Sequence, residues 1–210
     1  MIAQQSGWWW PEGEISGRHV VIRDVDEAVR KLLTHVKGRE LIVQAGANVG
    51  VYPLALADHF HAVFAFEPDP VNAQCLALNL KARDSLNRVH VSSAALGERA
   101  GGCEVVEVSA NNCGAQRIEH GGSIPVLTID DFDLSACDAI WLDIEGSELA
   151  ALKGAIRTIE AFSPVICVED KGLGAQFFNT PPNALQEFLA GLGYQEVDRI
   201  GLDKVFRRNP

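Results

Sequence analysis

Basic clusters, paired cysteines and long apolar runs are all missing from this sequence. The formal net charge is -10 over 210 residues. A phosphate backbone is held by clustered Lys and Arg, so nucleic acid is excluded as the main partner, while a small neutral ligand is not. Five cysteines, Cys75, Cys103, Cys113, Cys137 and Cys167, are odd in number, far apart and without a CxxC pair. That spacing suits neither a disulfide framework nor a soft-metal site and reads as reduced thiols. The opening "MIAQQSGWWWPEGE" has neither a basic start nor a long apolar stretch, and no run approaches the length of a membrane span. The expectation is therefore a cytoplasmic protein that does not engage membranes. Apolar residues make up 47% and charged residues 22%, without low-complexity tracts or repeats, as in one globular domain.

What is present is a repeated succession of strand and helix. "HVVIRD" reads as a short strand, and Asp24 then reads as the N-cap of a helix carrying Val25, Val29, Leu32 and Val36. Buried strands are expected at "ELIVQAG", "HAVFAFE", "RVHVSSAAL", "DAIWLDIE" and "PVICVED". Between them come helices over "PDPVNAQCLALNLKA", capped by Asp69 with Pro70 at N1, and over "SELAALKGAIRTIEAF". A last helix, "TPPNALQEFLAGLGY", is expected to start at Thr180 and Pro181 and to end at Gly193. The Gly-rich segment near residues 100–125 reads as hairpins, and "YQEVDRIGLDKVFRR" as a terminal antiparallel pair. The expected class is α/β: a doubly wound, mostly parallel seven-stranded sheet with a C-terminal antiparallel hairpin. Residues 1–39 form an aromatic arm, a strand and a helix packed against a domain spanning 40–210.

Two constellations carry chemistry. In Gly46-Ala47-Asn48-Val49-Gly50 a strand runs into a glycine turn and a helix N-terminus, the arrangement that lets a ligand approach backbone N–H groups. Glu67 ends the next strand, where an acidic side chain accepts hydrogen bonds from both hydroxyls of a ribose. A dinucleotide would need a glycine at the position of Asn48, so an NAD-dependent oxidoreductase is the weaker reading and S-adenosylmethionine the stronger. The second constellation is Asp143 and Glu145 on one side of an extended strand end, with Glu169 ending the following strand. These acids suit proton removal from an attacking oxygen; Mg²⁺ between them is an open but less favoured alternative, and no metal is assigned.

The motifs "GANVG", "AFEPDP" with Asn79-Leu80 beyond it, "LTIDDF", "WLDIEGSELAALKGA" and "PVICVE" occur in one order. They resemble those of FkbM-type S-adenosylmethionine-dependent methyltransferases, over about residues 40–170. The resemblance implies the Rossmann-like class I methyltransferase fold and O-methylation of sugars or other small hydroxyl-bearing metabolites. It implies that Gly46, Ala47, Asn48 and Gly50 line the methionine part of the donor, that Glu67 holds its ribose and that Ser93 or Ser92 lies near its adenine. Where the family carries a leading Asp, this chain has Gln44, whose amide oxygen would accept from the donor's amino group at a cost of ~1 kcal/mol in lost charge assistance. Asn111, Asn112 and Gly114 resemble a turn over the acceptor. In the Trp8-Trp9-Trp10 run at least one ring is expected to reach a pocket, a lid or another chain, and Trp10 with Asn112 is assigned to the acceptor. A homo-oligomer stays open. So does a methyltransferase fold that has lost catalysis and serves in binding or assembly.

Overall fold

A computed structural model describes residues 1–14, 18–108 and 112–208, the side chains of 18–21 excepted. An N-terminal hairpin, β1 (Ile2–Gln5) and β2 (Trp8–Pro11), precedes helix α1 (Arg18–Leu33). Then come β3 (Leu41–Ala45), α2 (Val51–Ala57), β4 (Ala62–Phe66), α3 (Pro70–Ala82) and β5 (Val89–Ser92). The middle of the chain forms β6 (Ala95–Leu96), β7 (Gly101–Glu107), β8 (Gln116–His120) and β9 (Ile124–Leu127). A 3₁₀ turn at Ile129–Phe132 leads to β10 (Ala139–Leu142), α4 (Glu148–Lys153), α5 (Ile156–Phe162) and β11 (Val165–Glu169). The chain ends with α6 (Leu173–Phe178), α7 (Ala184–Gly191), β12 (Tyr194–Ile200) and β13 (Asp203–Arg208).

The main sheet has the order β12-β13-β11-β10-β3-β4-β5. Its inner pairs are parallel, and β13 joins β11 antiparallel with β12 outside it. The expected seven strands and terminal hairpin are therefore present. Alternation along each strand feeds two cores. Ile42, Val63 and Trp141 pack with α1, α2 and α3, whereas Val43, Ile140 and Ile166 pack with α4, α5 and α7. From β3 the chain winds outward through β4 and β5; from β10 it winds the opposite way. The crevice between the carboxyl ends of β3 and β10 is thus a topological switch point, where ligands of such sheets bind.

Four local expectations are corrected. "HVVIRD" is helical, and Asp24 lies inside α1 rather than capping it. The β-branched run favours a strand locally, but a helix presents Val25, Ala28, Val29 and Leu32 as one buried stripe, and burial prevails. The single helix expected from Ser147 to Phe162 is two, broken at Gly154, where a Cβ would overlap the Gly97 carbonyl. The third strand ends at Ser92, and Ala95–Leu96 crosses to a four-stranded sheet ordered β6-β9-β7-β8. The last helix begins after Asn183 and ends at Gly191, and α6 precedes it without having been expected. The cap at Asp69 is as read: its carboxylate accepts from the Val71 and Asn72 amides at 2.9 and 2.8 Å.

Candidate active site

The turn after β3 is built from left-handed backbone. Gly46, Asn48 and Gly50 have φ of 79°, 49° and 98°. At Gly46 the conformation and the space act together, because a Cβ there would overlap the carbonyl oxygen of Asp143 at the exit of β10. The amides of Gly46 and Ala47 both donate to the Phe66 carbonyl, at 3.1 and 3.0 Å, tying the turn to the end of β4. Asn48 tolerates its strained φ by accepting the Val49 amide on its own side-chain oxygen at 2.7 Å.

Glu67 lies across this turn, 5% exposed. One carboxylate oxygen accepts the Asn48 amide at 2.6 Å and the other the Asp69 amide at 2.9 Å. Burial raises its pKa to about 7, against the opposing pull of those two hydrogen bonds. A carboxylate has about four lone-pair sites, so each oxygen retains capacity for one further donor. Beside it Asn72 is buried with its side-chain oxygen unpartnered, while its nitrogen donates to the Cys113 carbonyl at 2.9 Å.

A cleft opens here, lined by Gly46, Asn48, Glu67, Asn72, Asp143 and Glu145 among others. A second chamber adjoins it, with Trp10, Glu14, Val49, Tyr52 and Asn112 in its wall. The two share Gly46, Asn48, Cys113, Gly114 and Asp143. Asp143 therefore borders both spaces.

The acids follow from a second left-handed turn. Glu145 and Gly146 have φ of 53° and 106°, and a Cβ on Gly146 would press on the backbone of Leu173 and Gly174. Glu148 fastens this turn by accepting the Ile144 and Gly146 amides, both at 3.1 Å. Carboxylate oxygens of Asp143, Glu145 and Glu169 lie within 4.8 Å of one another. The Asp143 side chain is exposed to the cleft; desolvation by the surrounding walls, and next the charge of neighbouring Glu169, raise its pKa above the usual range. Lys171 reaches into the group, its Nζ 2.6 Å from Glu169 and 3.6 Å from Glu145. From β13, Asp203 accepts the Trp141 indole N–H at 2.9 Å, and burial raises its pKa to about 6.

Gly46, Ala47, Asn48, Glu67, Asp143, Glu145 and Glu169 thus converge on the switch point, with Gly50 forming the base of the turn. Gln44 is different. It is buried, its Nε2 donates to the Ala45 and Gly46 carbonyls at 3.2 Å each, and its side-chain oxygen has no partner. It lies behind the turn carbonyls and off the cleft wall. Ser93 is off the cleft wall, in a neighbouring depression with Pro70 and Pro125 that shares Pro68 with the cleft. Asn112 accepts the Gly114 amide at 3.1 Å at the edge of the second chamber, and Asn111 lies outside the described residues. Trp10 is buried and faces that chamber. Trp8 and Trp9 pack against the same core, with Arg83 stacked 3.7 Å from the Trp8 ring, so the run is fastened to its own chain. Thr128 and Asp130 are structural: Thr128 caps the 3₁₀ turn and Asp130 caps α5 through the Arg157 and Thr158 amides.

Sequence reasoning missed Lys171, Asp203, Tyr52 and Glu14. Lys171 had a signal, standing two residues beyond Glu169. Glu14, whose carboxylate accepts the Cys113 amide at 2.6 Å, had none, because the contact joins segments 99 residues apart.

Sheet order, reversed last hairpin and a glycine turn facing an acid at the next strand end define the Rossmann-like fold of class I methyltransferases. The family model for the FkbM methyltransferase domain matches residues 44–196, and the chain belongs to that family. Among solved structures, an FkbM methyltransferase from Methylobacillus flagellatus is similar at 22% identity and TM-score 0.56, over 90% of this chain and 58% of that one. This chain thus spans little more than half the length of that relative. A SAM-dependent O-methyltransferase from Thermotoga maritima follows at 15% identity and TM-score 0.51, over 88% and 66%. A precorrin-6y C5,15-methyltransferase from Geobacter metallireducens shares 14% identity at TM-score 0.51, over 97% and 95%. At these identities the likeness speaks for the fold. No curated protein matches. Among the described residues, no helix is long and apolar enough to cross a membrane.

Proposed function

We propose that this chain transfers a methyl group from S-adenosylmethionine to a hydroxyl oxygen of a small molecule such as a sugar. The observation that carries the reading is Asp143: it borders both the cleft beside Glu67 and the aromatic chamber beside Trp10. The donor fits the cleft chemically. Glu67 has acceptor capacity for two ribose hydroxyls, and on the same cleft wall the orphaned oxygen of Asn72 is an acceptor in want of a donor. When bound, S-adenosylmethionine supplies an electrophilic methyl on a sulfonium.

The acceptor would sit in the second chamber, with Trp10 giving it a flat apolar face and Asn112 a polar edge. A donor held by Glu67 and the glycine turn would supply the methyl group to that hydroxyl oxygen. The hydroxyl proton passes to the Asp143–Glu169 pair. Alignment of the reactants contributes ~7–11 kcal/mol and proton transfer to a positioned base ~3–5 kcal/mol. No nucleic-acid partner is proposed, given the charge of -10. Titration calorimetry with S-adenosylmethionine and S-adenosylhomocysteine, against NADH as control, tests the cleft. Micromolar binding of the first two is expected; binding of NADH alone would overturn the reading.

A further inference from the structure

We infer that Lys171 is the built-in cation of the acid cluster, a positioning residue whose ammonium stands where three convergent carboxylates would otherwise gather a divalent metal. The inference takes the role of the cluster from the proposed methyl transfer, but its geometry stands alone. Three carboxylates with oxygens within 4.8 Å of one another are a set that Mg²⁺ or Mn²⁺ collects. In this chain the position between Glu169 and Glu145 is taken by Lys171 Nζ, at 2.6 and 3.6 Å. Lys171 is able to reach because Asp170, the intervening residue, turns away to bond Gln186 at 2.7 Å and to pair with Lys204.

The single ammonium of Lys171 answers two of the three carboxylates directly, Glu169 and Glu145. Glu169 lies against Asp143, and its charge adds to desolvation in raising the Asp143 carboxyl, so a cation held on Glu169 relieves repulsion inside the group. Further acids face the group: Asp203 from β13 and Glu148 from α4 both feel the Glu169 charge. Burial alone would lower the Lys171 ammonium, yet Glu169, Asp143 and Glu145 outweigh it and keep it charged. A divalent ion in the same place would have to displace this ammonium.

Mn²⁺ titration followed by electron paramagnetic resonance tests the assignment without any knowledge of the acceptor. The native chain and Lys171→Arg are expected to show no stoichiometric site, whereas Lys171→Met gains one and binds Mn²⁺ at least about tenfold more tightly. Equal binding by the native chain and Lys171→Met, or no gain in Lys171→Met, overturns the inference. Should Lys171→Met fail to fold by circular dichroism, the native chain decides: a Mn²⁺ site abolished by Asp143→Asn overturns it, and the lack of one upholds it. S-adenosylhomocysteine affinity, measured in parallel, is expected to change less than about threefold between native and Lys171→Met. Loss of that binding in the native chain would speak against the proposed reaction and leave the Mn²⁺ result standing.

Discussion

Asn79 and Trp9 hold each other by two hydrogen bonds, from the Trp9 amide to Asn79 Oδ1 at 2.8 Å and from Asn79 Nδ2 to the Trp9 carbonyl at 3.0 Å. The same Nδ2 donates to the Val49 carbonyl at 2.8 Å. One fully buried amide therefore fastens the N-terminal hairpin, α3 and the glycine turn together. Asn79→Ala would leave the Trp9 and Val49 groups unpaired, so a loss of ~2–4 kcal/mol is expected in urea unfolding. Asn79→Asp should lose a similar amount, since it keeps the acceptor and removes the donor pair.

Glu67 gives a pH signature. Its carboxyl, raised to about 7 by burial, is ordinarily near 4.5. Between those values the folded chain binds the extra proton, so this group's contribution to stability is largest below about pH 4.5 and is lost as pH rises through about 7. Ligand binding runs the other way, because two ribose hydroxyls donate best to the ionised carboxylate. S-adenosylhomocysteine should bind about tenfold more tightly at pH 8 than at pH 6, measured by calorimetry. Glu67→Gln should bind more weakly and show no such dependence.

Gly46→Ala is expected to destabilise by ~2–4 kcal/mol in denaturant unfolding, combining a forced positive φ with overlap on the Asp143 carbonyl. Gly201→Ala serves as the control: its φ is also positive at 61°, but nothing lies within 4 Å, so only the backbone component of ~1 kcal/mol should appear.

Gln44 reverses an expectation drawn from the family pattern, under which an acid would bind the donor at least as well. The Gln44 Nε2 donates to two backbone carbonyls of the turn, and a carboxylate in its place would face acceptors. Gln44→Asp should lower stability by ~1–3 kcal/mol in urea unfolding and weaken S-adenosylhomocysteine binding.

Asp143→Asn and Glu169→Gln should each cut methyl transfer to any acceptor the native chain turns over by about 100-fold or more. Donor affinity should hardly change, which calorimetry on the same samples checks.

The sheet was legible because its strands are short apolar runs closed by turn residues, as in "ELIVQAG" and "PVICVED". Asp69 and Pro70 mark their helix start by local chemistry alone. What escaped notice depends on contacts between distant segments. The break at Gly154 comes from Gly97, the helical state of residues 18–24 from burial against the core, and the crossing of Ala95–Leu96 from pairing with β9. In the site, glycines and acids at strand ends announced themselves by position. The indole–carboxylate contact of Trp141 and Asp203 did not, because residue type alone does not show which distant groups meet.

Gly46 and Asp143 close the turn after β3 against the exit of β10 with no room for even a methyl group between them. In mechanical terms the wall that receives the ligand and the wall that carries the acids are one rigid body, although they come from opposite halves of the sheet. A ligand pressing on either cannot change their spacing without parting two neighbouring strands. The second chamber, in contrast, is edged by Trp10 of the N-terminal hairpin and by residues 112–114.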